Sequence, residues 1–196
     1  MEITAYLSIG STYTYLTALR LRSIVENHGA TFDFRPFSVR AIMREMNNIP
    51  FPPEKEAKVA YMWRDIERRA AGYGLPAPKV PAPYPLQHFD QANHVGIVAN
   101  QQGWYLDYFE ATYRAWFVEG IEAGSEESIA KVCKQLGQSE SAVTDAASKP
   151  EIQEIYEKNT AEAKAAGVFG APSFVVGTEI FWGDDRLEDA LNEAGF

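Results

Sequence analysis

Residues 168–187 have the sequence "VFGAPSFVVGTEIFWGDDRL", in which a glycine separates two short apolar runs. The runs "PSFVVG" and "TEIFWG" predict two short strands joined as a hairpin. Pro172 precedes the first strand, and a cis bond there would leave the Ala171 N–H and C=O free to pair with an extended peptide. The alternative is a trans proline that begins an edge strand. The following residues predict a last helix with Asp184 and Asp185 in its first turn, where the macrodipole favours carboxylates.

The amino-terminal segment "TAYLSIGSTYTYL", residues 4–16, predicts a strand that leads into a helix. Apolar and polar residues alternate up to Gly10, which interrupts the strand. Ser11 or Thr12 is expected to cap the following helix, and Gly29 is expected to end it. The next segment, "TFDFRPF", alternates again and predicts a second strand parallel to the first, connected by a crossover helix.

Helical spacing dominates the middle of the chain, including "EAKVAYMWRDIERRAAG" and a restart at Pro150. The order βαβ, helical block, ββα predicts an α/β, thioredoxin-like fold with an all-helical insertion. We place the thioredoxin-like domain at residues 1–38 and 160–196, and the insertion at residues 39–159. An aromatic run in the insertion is expected to form core or dimer packing, and part of it could line a pocket for a planar substrate: Trp104, Tyr105, Tyr108, Phe109, Tyr113, Trp116 and Phe117.

Composition narrows the possible partners and the compartment. A formal net charge of −9 and the lack of a basic run argue against binding to nucleic acid or to an anionic membrane surface. The single cysteine, Cys133, is expected in the core, and it excludes an internal disulfide and a CxxC pair. The first residues lack the pattern of a signal peptide, and no apolar segment has membrane-spanning length. We therefore expect a cytoplasmic protein.

The predicted start of the first helix is the position where a redox thioredoxin carries cysteine, and here it carries Ser11. A hydroxyl cannot exchange disulfides, but it can donate a hydrogen bond to the thiolate of another molecule. The alternative is that Ser11 serves only as a helix cap. Asp184 and Asp185 could likewise be plain helix caps or could bind an ammonium group. The three histidines are scattered without Cys or Glu at ligand spacing, so no metal site is predicted.

The segments "STYTYL", "YMWRDIERRAAGYGLP" and "VFGAPSFVVGTEIFWGDDRL" together resemble the 2-hydroxychromene-2-carboxylate isomerases and their relatives, the kappa-class glutathione transferases. The resemblance runs along most of the chain and implies a DsbA-like architecture that uses glutathione. It departs from the family pattern at Thr12, where proline is common, and at Ser8, where an acidic residue is usual. Arg44 stands where lysine is frequent, and Ala171 replaces valine before the proline.

The resemblance also implies roles for individual residues. Ser11 would hold the glutathione sulfur, and Ala171, before the cis proline Pro172, would pair with the cysteinyl backbone of glutathione. Asp185, with Asp184, would bind the γ-glutamyl ammonium. Two further residues are expected to meet a carboxylate of glutathione or substrate unless they are solvated surface side chains: Asn48 and Lys58.

The function implied by the resemblance is a glutathione-dependent isomerase of an aromatic-degradation intermediate, acting through transient thiolate addition. One alternative is a kappa-type transferase or peroxidase, which consumes glutathione. Another is a thioredoxin-fold binding protein without catalysis. The expected partners are a small aromatic or electrophilic substrate and a second copy of the chain in a homodimer.

Overall fold

A four-stranded mixed sheet forms the centre of the fold in the computed structural model, which describes residues 1–48, 51–52 and 54–196. The strand order is β2-β1-β3-β4; β1 and β2 are parallel, and the other two pairs are antiparallel. Ala5 of β1 lies opposite Phe34 on one side and Phe174 on the other, so β1 is an inner strand. The predicted thioredoxin-like α/β fold is therefore confirmed. The strands are β1 (Ile3–Leu7), β2 (Phe32–Pro36), β3 (Ser173–Val176) and β4 (Glu179–Trp182).

Two helices, α1 (Thr14–Ala18) and α2 (Leu21–His28), stand where the sequence predicts one. The helix is interrupted at Arg20. The Leu16 carbonyl accepts from the Arg20 side-chain Nε, and the Arg20 backbone N–H donates to the Thr17 carbonyl instead of to Leu16. Gly29 ends α2 in the left-handed conformation, φ 61°, as predicted.

The prediction that Ser11 or Thr12 caps α1 is wrong. Tyr13 occupies the cap position and makes no side-chain capping bond. The Ser11 hydroxyl instead donates to the Ala171 carbonyl at 2.7 Å, and the Thr12 hydroxyl donates to Met62 Sδ at 3.0 Å. Both side chains therefore tie the loop after β1 to distant parts of the chain.

The region between β2 and β3 is helical, as predicted. It includes α3, a helix that was not predicted from the sequence, and α9 begins at the expected Pro150. The division at residues 39–159 stays a prediction. The helices are α3 (Val39–Glu45), α4 (Glu56–Gly72), α5 (Phe89–Gln101), α6 (Tyr105–Arg114) with a π-helical turn (Ala115–Glu119), α7 (Glu126–Gln135), α8 (Glu140–Ala147) and α9 (Pro150–Ala165).

The aromatic run of α6 and the π-helical turn belongs to the core, where all seven of its side chains are buried. The Phe117 ring stacks on Tyr15 of α1, with centroids 4.6 Å apart. The Tyr113 hydroxyl donates to the Ser11 carbonyl at 2.9 Å, so this core also holds the loop after β1 in place. Cys133 is buried, as predicted.

The two aspartates that were expected in the last helix lie just ahead of it. Asp184–Arg186 form a 3₁₀ turn, and α10 (Leu187–Ala194) begins after that turn. Across the described ranges, none of the helices combines the length and the apolar character needed to cross a membrane.

Candidate functional site

All seven predicted site residues line one cavity of about 660 Å³, which opens between the sheet end, α3 and α4. Arg44, the departure from the family pattern, lines the cavity as well. None of the aromatic run from Trp104 to Phe117 lines it, so the possibility that this run forms part of the pocket is not realised. Other aromatic side chains, which the sequence analysis missed, form its apolar walls: Tyr13, Phe51, Tyr84, Phe89, Phe169 and Trp182.

Ser11 and Ala171 meet at the base of the cavity although 160 positions separate them. The Ala171–Pro172 peptide bond is cis. The prediction that a cis bond leaves the Ala171 carbonyl free is wrong. This carbonyl accepts a hydrogen bond from the Ser11 hydroxyl at 2.7 Å. The Ala171 N–H finds no acceptor among the described residues, so it remains able to pair with an extended ligand.

A buried carboxylate forms one wall of the cavity. Asp184 is only 2% exposed, and burial raises the pKa of its carboxyl to about 6 against the opposing effect of Arg69. Arg69 Nη2 lies 2.9 Å from Asp184 Oδ2, but its orientation does not make a hydrogen bond, and Oδ2 has no donor within the described part of the chain. Asp185 is more exposed, and Arg186 and Arg69 lower the pKa of its carboxyl despite partial burial.

Arg69 is a functional candidate that sequence reasoning did not select. Its guanidinium donates to the Tyr73 hydroxyl at 3.1 Å, and Tyr73 in turn packs beneath Arg20 with the guanidinium carbon 3.9 Å from the ring centroid. Arg20 also donates to the Asp184 carbonyl at 2.7 Å. This network fixes Asp184 from both sides. The signal for Arg69 in the sequence was the "ERR" segment of the quoted stretch "EAKVAYMWRDIERRAAG", which forms α4.

Asn48 and Lys58 line the cavity but are exposed. Lys58 Nζ lies 5.2 Å from the Phe51 ring centroid, a cation–π distance, and this contact directs its charge along the cavity rim. The placement of Asn48 and Lys58 is compatible with contact to a ligand carboxylate, and their role stays a prediction.

Tyr13 and Asp65 are a further cavity pair that the sequence analysis missed. The Tyr13 hydroxyl donates to Asp65 Oδ2 at 3.0 Å. Burial and the neighbouring carboxylate raise the pKa of Tyr13, so its hydroxyl stays protonated and can act as a donor but not as a base. Its position two residues after Ser11 was the available signal.

A metal is not implied by the arrangement. Across residues 1–48, 51–52 and 54–196, no group of three His, Cys, Asp or Glu side chains is placed to hold one. The polar groups that the site presents are hydroxyl, carboxylate and cationic side chains around an apolar cavity.

Comparison with known proteins places the fold in a family. The profile of the DsbA-like thioredoxin domain matches residues 2–194. A 2-hydroxychromene-2-carboxylate isomerase of Sphingobium xenophagum is 29% identical over 93% of this chain and 92% of its own length. The 2-hydroxychromene-2-carboxylate isomerase of Pseudomonas putida is 26% identical over 95% of this chain and 91% of its own length. A solved structure of a 2-hydroxychromene-2-carboxylate isomerase superposes with a TM-score of 0.87 at 26% identity, covering 100% of this chain and 95% of the other. The chain belongs to the DsbA-like thioredoxin domain family.

Proposed function

We propose that this protein is an isomerase of the 2-hydroxychromene-2-carboxylate type that depends on glutathione. The observation that carries the proposal is the meeting of Ser11 with the cis Ala171–Pro172 bond in a large cavity, in a chain that matches such isomerases along nearly its full length. Cytoplasmic location and assembly as a homodimer accompany the proposal as expectations.

The residues present fit glutathione. Asp184 lines the cavity with a buried carboxylate, a group that suits the γ-glutamyl ammonium, and Asp185 lies beside it. The Ala171 N–H, for which no described residue is an acceptor, offers a backbone donor for the cysteinyl carbonyl. Lys58 and Asn48 supply a cation and an amide at the rim for a carboxylate.

Glutathione, when bound, would supply the nucleophilic thiolate that this chain lacks at position 11. The part of Ser11 is to donate a hydrogen bond from its hydroxyl to the sulfur anion, which requires only rotation of the hydroxyl away from the Ala171 carbonyl. A thiolate that is hydrogen-bonded in this way persists nearer to neutral pH than a free thiol does. The aromatic and aliphatic side chains of the cavity give the reacting carbons apolar surroundings.

The test is an ultraviolet absorbance assay on 2-hydroxychromene-2-carboxylate, with and without reduced glutathione, in which free thiol is titrated before and after the reaction. Conversion that requires glutathione and leaves the thiol count constant supports the isomerase. Stoichiometric thiol loss would indicate a transferase or peroxidase instead. Glutathione binding without conversion of this substrate would contradict the assignment of the reaction.

Ser11→Ala is the variant that tests the proposed role. Loss of one hydrogen-bond donor to a reacting anion typically lowers kcat by about 100-fold, so we expect a decrease of that order with the fold retained. Ser141→Ala, an exposed position on α8, is the matched control and should react like the wild type. Unchanged turnover by Ser11→Ala would remove Ser11 from the mechanism.

A further inference from the structure

Arg40 on α3 is a half-buried cation that lines the cavity. Among the described residues, no carboxylate lies within ion-pairing distance of its guanidinium. One nitrogen, Nη2, donates to the Leu86 carbonyl at 2.8 Å, and the guanidinium carbon lies 4.1 Å from the Phe89 ring centroid. These contacts hold the group in place, and no described residue accepts from its other N–H groups.

The other cavity cations differ from Arg40 in one of two ways. Arg69 lies against Asp184, so its charge is balanced inside the protein. Arg44 and Lys58 are exposed, and water and salt screen their charges. Arg40 is the cavity cation for which burial lowers the pKa below its ordinary value, and the nearby Asp90 offsets that effect only in part. Its guanidinium remains charged, since arginine does not lose its proton in proteins.

A desolvated cation without a counter-ion is unfavourable unless something supplies the missing charge. The chain carries a net charge of −9, so acidic side chains outnumber basic ones, yet no described acidic side chain pairs with this partly buried arginine. The free edge of the Arg40 guanidinium is suited to a planar carboxylate, because two parallel N–H groups match its two oxygens.

The Phe89 ring contacts both Arg40 and Gly10, the residue before Ser11. A Cβ placed on Gly10 would lie 2.3 Å from the Phe89 ring, so this ring packs directly against the residue before Ser11. Arg40 packs on the same ring. Tyr84 also lines this part of the cavity and is close enough for the Arg40 charge to affect its pKa. A flat molecule whose anionic group pairs with Arg40 would therefore have its ring beside Phe89 and Tyr84.

We propose that Arg40 binds the anionic group of the substrate and thereby determines which aromatic compounds the cavity accepts, an inference that rests on the proposed function. Arg40 selects a planar substrate with a carboxylate over the same ring with a neutral group. Its part is binding and orientation, and no proton or bond passes through it. Glutathione, in this assignment, is bound through Asp184 and Ala171 and does not depend on Arg40.

The test uses two stable planar probes, chromone-2-carboxylate and chromone-2-carboxamide, in calorimetric titrations that need no turnover. The wild type is expected to bind the carboxylate at least about tenfold more tightly than the amide, the effect of one well-placed charged hydrogen-bonding pair. Arg40→Met should bind both probes equally, and Arg40→Lys should keep part of the preference. Arg64→Met, an exposed position on α4, is the matched control and should keep all of it.

S-methylglutathione, titrated against the same variants, separates the two binding sites. Arg40→Met should bind it as the wild type does, and this result together with an unchanged melting temperature shows that the variant is folded. Retention of the carboxylate preference in Arg40→Met would overturn the inference. A loss of S-methylglutathione affinity as large as the loss for the chromone probe would also overturn it, since Arg40 would then serve glutathione.

Failure of the inference and failure of the proposed function give different results. If the wild type does not convert 2-hydroxychromene-2-carboxylate but Arg40→Met abolishes the carboxylate preference, the anion site stands and the reaction assignment falls. If the wild type converts the substrate and Arg40→Met shows an unchanged KM, the isomerase stands and the role of Arg40 falls.

Discussion

Asp184 illustrates how one side chain can link burial, charge and ligand binding. Its carboxyl lies inside the protein, and burial raises its pKa to about 6 from an ordinary value of 3.8. Because the folded-state pKa is raised, the stability linked to this group is fully present below about pH 4 and is lost as the pH rises through about 6. A bound ammonium would reverse this effect by stabilising the ionised form.

Binding of S-methylglutathione should therefore weaken as the solution is acidified. This ligand has no thiol, so the thiol's own titration does not contribute. Between about pH 7.5 and pH 5 the ionised fraction of Asp184 falls to about one-tenth, and we expect affinity to fall about tenfold in calorimetry. Asp184→Asn should bind weakly at both pH values with little difference between them. An equally steep pH dependence in Asp184→Asn would assign it to another group.

At the scale of elements, the connection between β1 and α1 decides where Ser11 lies. Local propensity favoured a capping role for Ser11 and Thr12, and neither has it. Each hydroxyl has a tertiary partner instead, the Ala171 carbonyl and Met62 Sδ, and sequence windows contain no information about such distant partners. The strand, the Gly29 end of α2 and the hairpin were predictable because their signals are local.

Gly10→Ala should damage this connection. Gly10 has φ +130°, a region that residues with a Cβ rarely adopt, and the new Cβ would lie 2.3 Å from the Phe89 ring. Strain and overpacking together should lower the free energy of unfolding by about 2–4 kcal/mol in urea denaturation. Gly29→Ala is the matched control, since its φ is also positive, +61°, but nothing lies near the added atom; it should lose about 1 kcal/mol. Equal losses would mean that the Phe89 contact is not limiting.

At the scale of the whole molecule, the order of elements and the chemistry of the strand ends could be predicted, and Arg40, Arg69 and the aromatic walls of the cavity could not. Ser11, Ala171 and Asp184 stand next to strong local signals, namely strand ends, a proline and a glycine turn. Arg40 lies on α3, which carried no recognised pattern, and Arg69 sits on a polar helix face that looks like ordinary surface. Their importance comes from packing between α3, α4 and the sheet, which only the folded chain shows.

Cys133 provides a measure of how firmly the helical region is closed. The thiol is 1% exposed on α7, next to α6 and α8, and burial raises its pKa. Both effects suppress the thiolate that reacts with dithiobisnitrobenzoate, so labelling must await opening of the structure. We expect native labelling to be at least about 100-fold slower than labelling in denaturant.

A control variant carries Cys133→Ser together with Ser141→Cys, which moves the thiol to an exposed position on α8 and should label rapidly in the native state. Slow labelling of the wild type also means that thiol titration during turnover counts glutathione alone, which the assay of net isomerisation requires. Rapid native labelling of Cys133 would contradict the closed packing of α6, α7 and α8. The wall of helices around the aromatic core would then open on the timescale of the assay, and Tyr113 would not hold the Ser11 loop as firmly as its 2.9 Å hydrogen bond indicates.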